Sequence, residues 1–414
     1  MKNLKGTLVF AQSGGPTSVI NASACGVFEE AFKHSEITRV LGAAHGVVGI
    51  LEEKFYDMSK EDPKEIARLK NTPSSALGSC RYKLKDPKVD DKDYKRILEV
   101  FKKYDVRFFF YNGGNDSMDT CNKIGEFLKD NNYECNVIGV PKTIDNDLFG
   151  TDHCPGFGST AKYIATTCME IAQDARVFNH GQIVVVEIMG RHAGWLTAAS
   201  AVATYAGSGP DLIYVPETNF DLEAFAKDVE RVYAEKNSCI VAVSEGIHDA
   251  SGKFIAEYGM ENAKKDAFGH VMLGGTAAYL VSYLKNKINS KYRAIEFSLM
   301  QRCASHIASK TDMEEAYASG AECVKAAIAG ESQIMVGFKC TRENGKYTCK
   351  LDRVPLSLAA NTESMLPEKY INADKNFITE EFLKYVTPLI SGETAPEFIG
   401  GVPRFAKLKK ELLK

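Results

Sequence analysis

Again and again along this chain, a short run of β-branched, leucine or aromatic residues ends in a turn and gives way to a helix-length amphipathic stretch. The runs GTLVFAQ (6–12), ITRVLGAAHG (37–46), VRFFFYNGG (106–114) and NVIGVPK (136–142) come first. After about residue 155 the pattern restarts with QIVVVEIMG (182–190), DLIYVPE (211–217), SCIVAVSEG (238–246) and RAIEF (293–297). The intervening segments, Leu222 to Glu235 among them, carry helical periodicity. Strands that alternate with helices form βαβ units, so the pattern predicts an α/β chain with mostly parallel sheets. At 414 residues the chain outgrows a single core, and two lobes follow, with a boundary expected at the Pro155–Gly156 turn. Ligands of such folds bind beyond the carboxyl ends of the strands.

Composition removes several classes of function. Charged residues make up 25% of the chain and the formal net charge is -3, which offers no basic surface for nucleic acid. No apolar stretch is long enough for a bilayer-spanning helix, and the first apolar run is broken at Gln12, so the chain is expected in the cytosol without a membrane partner. The eleven cysteines are scattered without a C-x-x-C pair and the eight histidines stand apart. Reduced thiols, mostly core filler, and no structural zinc are therefore expected.

The chemistry-bearing segments all sit just after strands. Ser13-Gly14-Gly15-Pro16-Thr17 joins the first run to a helical stretch from Val19 to Phe32. Its glycines let backbone N–H groups approach an anion at a helix N-terminus, though a plain tight turn needs the same glycines. Asn112-Gly113-Gly114-Asn115-Asp116-Ser117 follows the most apolar run, and Asp116 and Ser117 are expected to cap a helix continuing through Phe127. Pro141-Lys142-Thr143-Ile144-Asp145-Asn146-Asp147 crowds two carboxylates with a lysine and a threonine. One carboxylate can accept a hydroxyl proton while the lysine neutralises phosphate charge; an Asx-rich turn is the alternative. Met189-Gly190-Arg191-His192-Ala193-Gly194-Trp195 and Ser244-Glu245-Gly246 end two strands of the second lobe, where arginine suits phosphate and glutamate suits sugar hydroxyls. Trp195 reads as core packing and His192 as a structural histidine. Arg81, Arg293 and Arg302 have no local mark that separates them from surface charge. Neither glycine turn has the dinucleotide fingerprint, which disfavours a dehydrogenase.

In their order along the chain, LGSCR, TIDND, MGRHAGW and SEG resemble the phosphofructokinase family, over residues 6 to about 310. The resemblance implies that family's fold: two Rossmann-like, three-layer lobes with fructose 6-phosphate between them. Residues 1–155 with part of the C-terminal region would form the donor lobe and 156–310 the sugar-phosphate lobe, while 311–414 would pack back on both. It further implies Asp145 as the base toward the sugar's 1-hydroxyl, with Thr143 and Asp147 organising the phosphoryl and magnesium and Lys142 stabilising the transition state. Met189, Gly190 and Arg191 match the sugar-phosphate loop, Glu245 the hydroxyl ligand and Arg302 a grip on the 6-phosphate. Arg293 falls where the family supplies an arginine from a neighbouring subunit, which implies a homodimer or homotetramer. Gly14, Gly15, Arg81 and Gly114 would border the donor.

ATP-using members look like GGDGS with PGTIDND, whereas this chain has Asp116 and Lys142 in place of those glycines. A carboxylate there would repel the α-phosphate of a nucleotide and a lysine can hold the phosphate that leaves from pyrophosphate, so the expected donor is pyrophosphate and the reaction reversible. Three positions depart from the pattern. Asn115 stands for the usual aspartate near magnesium, leaving Asp116 and Asp145 as expected ligands. Gln182 and Leu299 replace residues that hold the 6-phosphate, which keeps sedoheptulose 7-phosphate open as a second acceptor. An ATP-dependent enzyme and a non-catalytic sugar-phosphate-binding subunit remain the rival readings.

Overall fold

The run VRFFFYNG does become a strand in the computed structural model, which describes residues 4–177, 179–259, 274–360 and 362–413. In chain order the principal strands are β1 Gly6–Gln12, β2 Ile37–Ala43, β3 Phe55–Asp57, β4 Val106–Gly113, β5 Asn136–Pro141, β6 Gln182–Ile188, β7 Leu212–Tyr214, β8 Cys239–Ser244, β9 Lys291–Glu296, β10 Ile334–Glu343 and β11 Lys346–Pro355. Along β4, Phe108 and Phe110 join Leu8 and Phe10 in one apolar cluster, whereas Phe109 and Tyr111 join Val9 and Ala11 in another. Side chains alternate between faces, so two buried sets mean a sheet covered on both sides. Each buried phenylalanine removes enough apolar surface to stabilise the sheet by about 1.5–3 kcal/mol.

The chain divides into two compact units, 1–159 with 302–363 and 392–414, and 160–301 with 364–391. The sheet of the first unit runs β11-β10-β5-β4-β1-β2-β3. Its inner pairings are parallel, as expected, but both edge pairs, β10–β11 and β2–β3, are antiparallel. The second unit holds a parallel sheet ordered β7-β8-β6-β9. These are the two α/β lobes with mostly parallel sheets that the periodicity predicts.

The chain passes from one unit to the other at 159–160, close to the Pro155–Gly156 turn, and again at 301–302, 363–364 and 391–392. Asp312, buried, accepts the N–H groups of Gly156 at 2.9 Å and Ser159 at 2.8 Å, tying the first turn of the helix Phe157–Ala175 to the first unit. In the second unit Trp195 packs among Tyr370, Phe382 and Tyr385 and donates its indole N–H to Ser364 O at 2.8 Å. That aromatic cluster holds 364–391 there, and it bears out the core reading of Trp195. All eleven cysteines are free thiols and more than half are buried, as core filler requires.

Candidate active site

The first unit gathers its chemistry where β1, β4 and β5 end. Lys142, directly after β5, is buried, and its ammonium donates to Gly15 O at 2.8 Å. Gly14 takes a left-handed φ of 76°, and a Cβ there would sit 3.2 Å from Lys142 Nζ. At Gly15 a Cβ would meet Arg302 Nη1 at 3.1 Å. Two cationic side chains thus lie close against these glycines. Gly14 N–H is donated to Cys80 O at 3.1 Å. Burial lowers the pKa of Lys142 to about 8; Asp145 and Asp147 act to raise it, and Arg81 and Arg302 to lower it further. Three cations and two carboxylates therefore share one electrostatic neighbourhood.

The TIDND loop is held from its own backbone. Lys142 N–H donates to Gly113 O, Thr143 N–H to Pro155 O, Asp145 N–H to Thr143 Oγ1 at 3.1 Å and Cys154 N–H to Asn146 Oδ1 at 2.8 Å. Gly114 lies against Lys142 and Thr143, since a Cβ on it would come 3.6 Å from Lys142 O. Asn115 Nδ2 donates to Asp147 Oδ2 at 3.0 Å. Burial first, then the charges of Asp145 and Glu363, raise Asp147 to about 7. Two buried oxygens, Asn115 Oδ1 and Asp147 Oδ1, have no hydrogen-bond partner. Adjacent orphaned oxygens are a donor set that suits a hard divalent cation or its water, so these residues fit magnesium.

The Asp116 side chain is half exposed and stands 3.6 Å from Lys83. Asp116 and Ser117 do not cap their helix: it spans Asn115–Asp130 with Gly114 at the N-cap, which puts both residues inside the first turn. Arg302, grouped by resemblance with the sugar phosphate, has its guanidinium at Gly15 in the first unit, and Arg81 is exposed. Glu363 escaped notice because the bridge that brings it in, Leu148 to Glu363, carries no local sequence signal.

The second unit assembles the other set. Gly190 has a φ of 134°, and its N–H lies 3.4 Å from Glu245 Oε1. Ser244 Oγ donates to Gly190 O and accepts Gly246 N–H at 3.1 Å, while Met189 N–H donates to Gln301 Oε1 at 3.2 Å. The loops 189–191 and 244–246, ending β6 and β8, are thus joined by the side chains of Ser244 and Glu245 bonding the backbone of Gly190, which places Met189, Gly190, Arg191 and Glu245 together. Arg293 sits exposed on the edge strand β9 and Leu299 is exposed beyond it, while Gln182 is buried at the start of β6. His192 is exposed.

Gly246 makes that junction testable. A Cβ there would fall 1.8 Å from Arg191 O, so Gly246→Ala must push the two loops apart. Overpacking of this kind costs about 1–3 kcal/mol. A lowered thermal midpoint in calorimetry is the expected result, and an unchanged one would refute the contact.

Three comparisons bear on this arrangement. The profile of the family described as Phosphofructokinase matches residues 7–326. A protein of Halomonas elongata named pyrophosphate–fructose 6-phosphate 1-phosphotransferase is 43% identical over 97% of this chain and 96% of its own, and one of the same name from Xanthomonas campestris is 44% identical over 98% and 96%. The crystal structure of a pyrophosphate-dependent phosphofructokinase from Nitrosospira multiformis superposes with a TM-score of 0.89 at 39% identity, covering 99% of this chain and 98% of that one.

Proposed function

Because the chain belongs to the phosphofructokinase family, we propose that it transfers a phosphoryl group reversibly from pyrophosphate to the 1-hydroxyl of fructose 6-phosphate, giving fructose 1,6-bisphosphate and phosphate. The observation that carries this reading is the buried Lys142, set beside Gly15 and acted on by Arg81, Arg302, Asp145 and Asp147. Cations next to carboxylates are what in-line phosphoryl transfer requires: charge to neutralise the donor and a base for the acceptor.

In the proposed mechanism Asp145 takes the proton from the sugar hydroxyl as that oxygen attacks phosphorus. Thr143 holds the base loop through its hydrogen bond to Asp145 N–H. Lys142 offsets the negative charge that grows on the departing phosphate, and Arg81, Gly14, Gly15, Gly114 and Asp116 border the donor. Met189, Gly190, Arg191 and Glu245 orient the sugar phosphate, with Arg302, Asp147 and a partner copy's arginine at the position of Arg293 completing its hold. Magnesium, held by Asp145 and Asp147 with Asn115 Oδ1, would supply charge neutralisation to the phosphates. No helix among the described residues is long and apolar enough to cross a membrane, in keeping with a cytosolic place in glycolysis, and we read the enzyme as a homodimer or homotetramer.

Initial rates of fructose 1,6-bisphosphate formation with magnesium and either pyrophosphate or ATP test the donor. The wild type is expected to turn over with pyrophosphate alone, and Asp116→Gly combined with Lys142→Gly to gain use of ATP. Wild-type turnover with ATP would overturn the donor assignment, and none with either donor would favour a binding subunit.

A further inference from the structure

Strands β10 and β11 place Cys340 directly opposite Cys349. The hairpin closes through Asn344-Gly345, with φ of 51° and 72°, between the paired residues Glu343 and Lys346. Two left-handed residues make a type I′ turn, whose flanking pair exchanges backbone hydrogen bonds. Pairs then alternate along the ladder, so Cys340–Cys349 belongs to the non-hydrogen-bonded class, in which facing Cα atoms lie closest, about 4.5 Å apart. That spacing is within disulfide range. The two thiols are free, half-buried, and have their Sγ atoms 2.9 Å apart.

The same face of the hairpin presents Arg342 and Tyr347 to His153 and Glu315. His153 Nδ1 lies 3.0 Å from Asp152 and 3.8 Å from Cys340 Sγ, and its Nε2 lies 2.8 Å from Glu315. Burial opposes a proton on His153, yet its bonds to Asp152, Cys340 and Glu315 raise its pKa well above the ordinary value. Tyr347 donates to Glu315 at 2.7 Å and stands 3.4 Å from Cys340 Sγ. The bond from Cys349, against burial and helped by His153, lowers Cys340 to about 6; the same bond raises Cys349. A thiolate beside an imidazolium, with a second thiol in contact, is the arrangement of a reactive cysteine and its resolving partner. A metal fits less well, although Asp152, His153 and Cys340 offer atoms within 4.8 Å of one another. Arg342 already takes both oxygens of Asp152, at 2.6 and 2.8 Å, and both nitrogens of His153 face carboxylates.

We propose that Cys340 and Cys349 form a modification site which a small hydroperoxide oxidises to a disulfide, with Cys340 as the attacking thiolate and His153 as the proton source. The Cys340 sulfur takes the distal peroxide oxygen: an S–O bond forms, the O–O bond breaks, sulfur loses two electrons, and the departing alkoxide or hydroxide leaves protonated. The Cys349 sulfur then displaces the sulfenic oxygen, forming S–S and releasing water. In sum, two thiols and one hydroperoxide give a disulfide, an alcohol or water, and a further water. Cys154, next to His153, donates to Asn146, so the site adjoins the loop that bears Asp145.

The test treats the full chain, with the exposed Cys303 replaced by serine, with equimolar hydrogen peroxide and maps its peptides by mass. A cross-linked 340–349 pair, lighter by two hydrogens and reopened by dithiothreitol, is expected. In Cys349→Ser one oxygen should instead accumulate on Cys340 and be trapped by dimedone. His153→Gln should slow alkylation of Cys340 by iodoacetamide at neutral pH about tenfold, because the thiolate fraction falls. Oxidation of other cysteines ahead of this pair in the Cys303→Ser chain, an unchanged alkylation rate in His153→Gln, or stoichiometric zinc that shields Cys340 would each overturn the proposal.

Discussion

Asp145→Asn is expected to lower kcat about 10²–10⁴-fold, the usual worth of a positioned general base. Asparagine keeps the shape of the side chain and the backbone bond from Asp145 N–H to Thr143 Oγ1, so the loop should hold its form. What it loses is the acceptor for the hydroxyl proton. A second readout separates this from simple misfolding. After burial, the charge of Asp145 is the next cause that holds Asp147 near 7, so Asp147 should titrate lower in the variant. Steady-state rates together with carboxyl titration by NMR would check both; activity within tenfold of wild type would remove Asp145 from the mechanism.

Lys142→Met is expected to reduce kcat/KM for pyrophosphate about 10²–10³-fold, comparable to deleting one preorganised donor from a charged transition state. The pH profile gives the sharper check. Burial brings Lys142 down to about 8, so in the free enzyme its cation is complete well below pH 8 and is lost as the pH rises through it. Wild-type kcat/KM should therefore fall on the alkaline side with an apparent pKa near 8, and this limb should vanish in Lys142→Met. Bound pyrophosphate adds negative charge and raises the lysine's pKa, so kcat should hold to higher pH than kcat/KM. A profile flat past pH 9 in the wild type would place the required cation elsewhere.

How far such a site can be read in advance varies residue by residue. GTLVFAQ became β1 over its whole length, and the helix expected from Leu222 to Glu235 runs Leu222–Lys236, because strand alternation and helical periodicity are local. Lys142, Thr143, Asp145 and Asp147 were legible for a related reason, being contiguous after an apolar strand. The orphaned oxygen of Asn115 was not. Its significance comes from Asp147, which a different strand delivers to the same place. Asn344-Gly345 is a hairpin signal, and it accounts for one antiparallel edge.

By itself, then, the amino-acid order determined the α/β class, the two mostly parallel sheets and the loops at strand ends where phosphate chemistry could sit. Period-two and period-3.6 burial and the needs of glycine turns act over a few residues, and they can be read there. Only the tertiary structure decided that Gly14 spends its N–H on Cys80, that Arg302 reaches Gly15, that Glu363 bears on Asp147, and that Cys340 meets Cys349 and His153. Each of these is a contact between segments far apart in the chain, settled by which strands pair and which helices cover them. The proton affinities follow the same rule: burial of Lys142 and Asp147 shifts both by excluding water, and no local spacing of residues encodes how much water a finished core leaves out.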